Sequence, residues 1–189
     1  MTFVLVEPGH PLRDAAETRI RSVFQRQYGA AVRTIPHNLA ALLDTAGTPT
    51  VVAGVRFGSS DWACQCYLDQ PLDQELSRLS NRAVGNEQIL EVSGLASVGL
   101  GASFKLIRGI IEIGRQRGQN WGVFTATKRL RQVIAAAHLP LLELSPAVRT
   151  RIDQPDDWGS YYDTDPWVCA LPDDAAAPLQ FSRNRARLH

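Results

Sequence analysis

One carboxylate stands inside an apolar run: Glu91, within Ile89-Leu-Glu-Val-Ser-Gly-Leu-Ala-Ser97. A carboxylate taken from water without a partner is costly and its pKa rises, which suits a general base that deprotonates an attacking amine. A structural carboxylate paired with an arginine or with backbone N–H groups would satisfy the same burial. Ser93 and Ser97 follow Glu91 by two and six residues, so a regular strand gives them the face of Glu91. Either could bond a substrate or be a satisfied strand hydroxyl. Beyond them, Val98-Gly99-Leu100-Gly101-Ala102-Ser103 leads into a helical pattern. A helix N-terminus carries unpaired N–H groups and the positive end of the helix dipole, and two glycines leave those groups uncovered. Such a turn fits a phosphate or pyrophosphate, although a plain strand-to-helix turn has the same spelling. Ser103 could cap the helix or touch a phosphate. Thr125 and Thr127 end the next apolar run, where a ligand gathers at strand ends, and Thr127 is equally placed as an N-cap. Tyr161 and Tyr162 could protonate a leaving thiolate or belong to a packed aromatic cluster.

The elements that must position these groups are read from periodicity. Residues 89–97 form a strand, the glycine turn starts an amphipathic helix to about residue 118, and Gln119-Asn-Trp-Gly-Val-Phe-Thr-Ala-Thr127 forms a second strand. Parallel strands joined by a helix need a crossover of this length. The turn is not a dinucleotide fingerprint, because position 104 is Phe instead of the third glycine, and no Gly-Lys-Ser/Thr follows to make a phosphate loop of the Walker type.

Along the rest of the chain, Thr2–Glu7 reads as a strand and Leu12–Tyr28 as a helix with Ala16, Ile20, Val23, Phe24 and Tyr28 on one face. Thr34–Asp44 reads as a loop with a short helix after Pro36. Thr50–Phe57 reads as a strand that turns at Gly58-Ser-Ser-Asp61 and returns as Trp62–Tyr67. Pro71–Leu79 is a short helix and Lys128–Leu139 another. Leu141–Leu144 is a short strand, and Trp158–Ala170 carries the last one. Sequential antiparallel strands around one parallel unit make a three-layer mixed α/β domain with a largely antiparallel central sheet. One domain is expected over residues 1–171, with 172–189 as a flexible tail.

Composition excludes several classes. A net charge of +1 gives no electrostatic case for nucleic acid. No apolar run approaches bilayer length, so stable membrane insertion is not expected. The three cysteines are too few for a disulfide framework and lack metal spacing. Cys64 and Cys66, two apart on the expected strand, would share a face. A reduced, cytoplasmic protein without metal follows.

The segments YGAAV, AGVRF, YLDQPL, ILEVSGLAS, WGVFTATKRLR and WGSYYDTDPWV, in this order from about Tyr28 to Val168, resemble the thermostable hemolysin family of bacterial proteins, which shares the GNAT N-acetyltransferase-like fold. That resemblance implies an N-acyltransferase moving an acyl group from a CoA thioester, or from acyl-carrier phosphopantetheine, to an amine acceptor. It implies that Ser97, Val98, Gly99, Leu100, Gly101, Ala102 and Ser103 hold the donor phosphate. Glu91, Tyr161 and Tyr162 then supply acid–base chemistry, and Ser93, Thr125 and Thr127 face substrate. An acyl carrier protein and a homodimer partner are compatible with it. Two departures stand out: Ser93-Gly94 replaces the family's Gly-Asn, and Ala96 stands where acetyltransferases carry Arg or Gln, leaving backbone N–H groups to bind the pyrophosphate. A weaker resemblance is to acyl-homoserine-lactone synthases, which place a Glu on the corresponding strand. The family name implies a membrane-perturbing alternative, and the departures imply a second, a binding module that kept the fold and lost catalysis.

Overall fold

The computed structural model describes residues 1–97 and 99–173. Val98, and the tail from residue 174, lie outside the described residues. The chain forms β1 (Thr2–Val6), α1 (Arg13–Tyr28), β2 (Asn38–Leu43), β3 (Pro49–Phe57), α2 (Leu72–Ser80), β4 (Ile89–Ala96), α3 (Leu100–Gln116), β5 (Trp121–Ala126), α4 (Lys128–Ala136), β6 (Leu142–Pro146) and β7 (Trp167–Pro172). The seven strands lie in the order β1-β2-β3-β4-β5-β7-β6. Among the described residues only β4 and β5 are parallel; every other neighbouring pair is antiparallel. The α3 crossover allows the parallel pair, since a hairpin can join only antiparallel neighbours.

Alternation along the strands sends side chains to two faces. On one face Leu106 and Ile110 of α3 pack with Ala40, Leu42, Val51, Ala53, Val55, Leu90 and Val92. On the other, Ala16, Ile20, Val23 and Phe24 of α1 pack with Val6, Leu39, Ala41, Val52 and Ala96. Beside them Leu72 and Leu76 of α2 pack with Ile89, Trp121, Val123, Val168 and Ala170. The result is three layers, helix on sheet on helix.

Two expectations are corrected. Residues 38–43 form β2 rather than a loop with a short helix. This strand is covered on both faces, so it reads Asn-Leu-Ala-Ala-Leu-Leu without alternation, and periodicity alone cannot tell such a run from helix. Trp62–Tyr67 does not return as a hairpin strand. Gly58 N donates to Ile89 O (2.9 Å), so β3 pairs next with β4, and the chain leaves the sheet to form a 3-10 helix, Ala63–Tyr67. Cys64 is therefore buried while Cys66 is exposed, and they share no face. At the C-terminal end, β7 runs to Pro172.

β4 carries an irregularity that shapes everything near it. Gly54 of β3 pairs with Ser93, but Val52 pairs with Ala96, so β4 holds one extra residue there. Gly94 sits at this bulge with φ +58°. The alternation is reset, and Ala96, not Leu95, joins the face of Glu91 and Ser93. The sequence-based placing of Ser97 on that face fails for the same reason.

Candidate functional site

β4 and β5 pair only from Ile89/Trp121 to Val92/Phe124. Past that point β4 stays with β3 as far as Ala96, and β5 stays with β7 as far as Ala126. The two central strands part company at their carboxyl ends. Peptide groups along that stretch have no ladder partner across the gap, which is where an inserted extended ligand finds hydrogen bonds. The bulge at Gly94 explains the parting, because an extra residue increases local twist and bends the bulged strand.

The glycine turn lies next to this opening. Gly99 is the N-cap of α3, in extended conformation and exposed. Ser97 Oγ accepts from Gly99 N (3.2 Å) and donates to Gly99 O (2.8 Å). Ser103 is not the cap: it lies inside the first turn, and its Oγ donates to Gly99 O (3.1 Å). The two serines thus brace the turn from either side. Gly101 and Ala102 lie in the first turn of α3, where backbone N–H groups have no partner within the helix. Chain neighbours aside, a Cβ built on Gly99 or Gly101 would meet no described atom within 4 Å. Lys105 and Arg108 stand exposed one and two turns further on.

Glu91 is only 2 % exposed. Its Oε2 accepts from Arg56 Nη1 (3.1 Å) and from Ala63 N (2.9 Å), and its Oε1 accepts from Cys64 N (2.8 Å). Arg56 lies directly opposite on β3. Ala63 and Cys64 are the first residues of the 3-10 helix, so the carboxylate caps that helix from the neighbouring strand. Glu91 is thus a buried carboxylate paired with one arginine and two backbone N–H groups.

Ser93 Oγ is buried without a hydrogen-bond partner among the described residues. It lies 2.9 Å from where a Cβ of Gly54 would stand, under the ring of Pro36, and so leans toward β3 and away from the gap. Thr125 pairs with Val168 at the lip of β5. Thr127 is the N-cap of α4, its hydroxyl accepting from Leu130 N (3.3 Å).

Tyr161 and Tyr162 occupy the 3-10 helix Tyr161–Thr164. Tyr161 packs with Phe24, Tyr28 and Trp158 against the α1 cluster, which includes Ala96 of β4. Tyr162 packs against the α2 cluster, which includes Val123 of β5 and Val168 of β7. The two rings also touch each other, centroids 5.3 Å apart, so this short helix joins the two clusters. Burial pushes the phenols of Tyr28, Tyr161 and Tyr162 above their ordinary range. The hydroxyl of Tyr162 lies 2.7 Å from that of Tyr67. Tyr67 and Arg56 were missed in the sequence. The signal for Arg56 was its place opposite Glu91 once β3 and β4 are paired; Tyr67 gave none, because its segment reads as a strand.

The fold is the GNAT-like fold, shared with several solved acyltransferases. TofI, crystallised in a ternary complex with an inhibitor and MTA, is similar at 15 % identity, 92 % of either chain covered and a TM-score of 0.61. The AHL synthase LasI is similar at 12 % identity, 90 % of either chain covered and TM-score 0.59. FeeM, an N-acyl amino acid synthase from uncultured soil microbes, is similar at 10 % identity, with 92 % of this chain and 96 % of that one covered and TM-score 0.58. No curated protein matches by sequence. The description "Thermostable hemolysin" matches residues 6–176, and the chain belongs to that family.

Proposed function

We propose that this protein is an N-acyltransferase that moves an acyl group from a CoA or acyl-carrier thioester to an amine. The observation that carries the proposal is the parting of β4 and β5 beside the open N-terminus of α3. The strand gap suits an extended pantetheine-like arm, and the first-turn N–H groups of α3 suit its phosphate. The fit is favourable: nothing crowds the backbone at Gly99 or Gly101, and Ser97 and Ser103 stiffen the turn. A thioester supplies an activated acyl group with a good leaving thiolate. Residues 97–103 would hold its phosphate, Thr125 would line the lip of the gap, and Tyr162 would protonate the leaving sulfur. Glu91, committed to three donors, is assigned to anchoring; proton removal from the amine is left to solvent. The fold shared with acyl-homoserine-lactone and N-acyl amino acid synthases supports this reading.

Calorimetric titration with acetyl-CoA, decanoyl-CoA and an acylated carrier protein tests it. Binding of at least one is expected, and silence with all three would sink the proposal. The family description favours membrane perturbation as a second reading. Among the described residues no helix is long and apolar enough to cross a membrane. Leakage of dye from anionic and zwitterionic vesicles on addition of the pure protein would favour that reading instead.

A further inference from the structure

Two phenolic hydroxyls 2.7 Å apart share one hydrogen bond, so one donates and the other keeps its proton for a third group. Tyr67 is only 8 % exposed, while Tyr162 is half-buried. The backbone of Tyr67 is fixed at both ends. The 3-10 helix that ends with it begins on the Glu91 carboxylate, and its own carbonyl accepts from Ser145 Oγ of β6 (2.8 Å). Tyr162 rests on the cluster containing Val168, the cross-strand partner of Thr125 at the gap. We propose that Tyr67 is a positioning residue: it donates to Tyr162 Oη, turns the Tyr162 proton outward toward the departing sulfur, and is itself held in place by Glu91. This rests on the acyltransferase reading above.

The electrostatics agree with that direction. Burial raises Tyr67 first, and its bond to Tyr162 raises it further, while the same bond works to lower Tyr162. Cys66, Arg149 and Tyr161 are the other titratable groups that bear on the pair. In the step, the amine nitrogen bonds the acyl carbon, the carbon–sulfur pair leaves on sulfur, and the Tyr162 proton follows it. The phenolate, held by Tyr67, recovers through water the proton that the new amide nitrogen sheds.

The first test needs no substrate. The full chain is prepared with difluorotyrosine at its 4 tyrosines and followed by fluorine NMR, each resonance assigned by a Tyr→Phe variant. In Tyr67→Phe the titration midpoint of Tyr162 should rise by about half to one pH unit, the loss of one hydrogen bond to the phenolate. An unchanged midpoint overturns the pairing. The second test measures thiol release from decanoyl-CoA and from a thiophenyl ester with a panel of small amines. Tyr162→Phe should slow the CoA ester by ~10²-fold or more, and Tyr67→Phe by about tenfold. Both losses should shrink with thiophenol, which leaves without a proton. Equal losses on the two esters overturn the positioning role alone. No thiol release by the wild type from either ester defeats the acyltransferase reading and this assignment with it, whatever the NMR coupling.

Discussion

Glu91 shows how burial and partners decide what a carboxylate does. Its three donors come from β3 and from the start of a helix in another layer. Glu91→Ala would leave Arg56 and two N–H groups without their acceptor and should cost about 3–5 kcal/mol in urea denaturation. Glu91→Gln, which keeps the shape but turns an N–H₂ toward a donor, should cost ~1–3 kcal/mol. An anchoring role also predicts that the acidic limb of the thiol-release pH profile survives in Glu91→Gln; a base would lose it. Two carboxylates paired with arginines contribute to the acid limit of stability. Arg33 holds Asp157 below its ordinary range by hydrogen bonding, and Arg131 does the same for Asp165. A depressed folded-state pKa contributes stability above the unfolded value of ~4, and that contribution goes as pH falls through the folded one. The thermal midpoint should therefore drop between about pH 5 and pH 2, and the double variant Asp157→Asn, Asp165→Asn should flatten that drop in a melting series.

At the scale of elements, the gap lies where β4 carries one residue more than β3. The bulge lets β4 follow β3 while β5 follows β7, and the space between them opens. Gly54 and Gly159 guard the surroundings. A Cβ at Gly54 would stand 2.3 Å from Pro36 Cγ and 2.9 Å from Ser93 Oγ. Gly54→Ala should lose about 1–3 kcal/mol to overpacking, lowering the urea midpoint without changing its slope. Gly159 has φ +50°, and its Cβ would meet Tyr28 O at 2.0 Å. The next residue, Ser160, donates its N–H to that same carbonyl (2.9 Å). Gly159→Ala should cost at least ~1–3 kcal/mol from backbone strain and release the tyrosine helix from α1. Near-UV circular dichroism of the aromatic cluster would fall while far-UV signal is kept.

Across the whole molecule, α1 and the segment after it are tied down by arginines. Arg13 donates to Pro36 O (2.8 Å) and His37 O (2.6 Å), Arg21 to Val32 O (3.3 Å), and Arg33 pairs with Asp157. The Arg13 and Arg21 bonds fasten α1 to the segment after it, and Arg33–Asp157 joins that segment to the loop before the tyrosines. A ligand that enters the gap binds only the folded state. At a hundredfold excess over its Kd it should add about 2.7 kcal/mol, raising the melting midpoint by roughly 5–10 °C. The same shift should be absent in a chain whose turn is blocked by Gly101→Asp, a substitution that the open space there accommodates without clash.

The sequence by itself determined the α3 crossover, its two parallel strands and the glycine turn, and it offered Thr127 as a cap. These rest on contiguous periodicity and on glycine and threonine chemistry, which are local. It left Glu91 between two roles and misread residues 38–43 and 62–67. Strand against helix in an evenly apolar stretch is decided by which neighbours cover it. The role of a buried carboxylate is likewise decided by donors that arrive from elsewhere: Arg56 lies 35 residues away and Cys64 27. Tertiary structure alone supplied the bulge register, the meeting of Tyr67 with Tyr162 across 95 residues, and the end of the β4–β5 ladder. Each depends on long-range pairing, and no spacing along the chain encodes it.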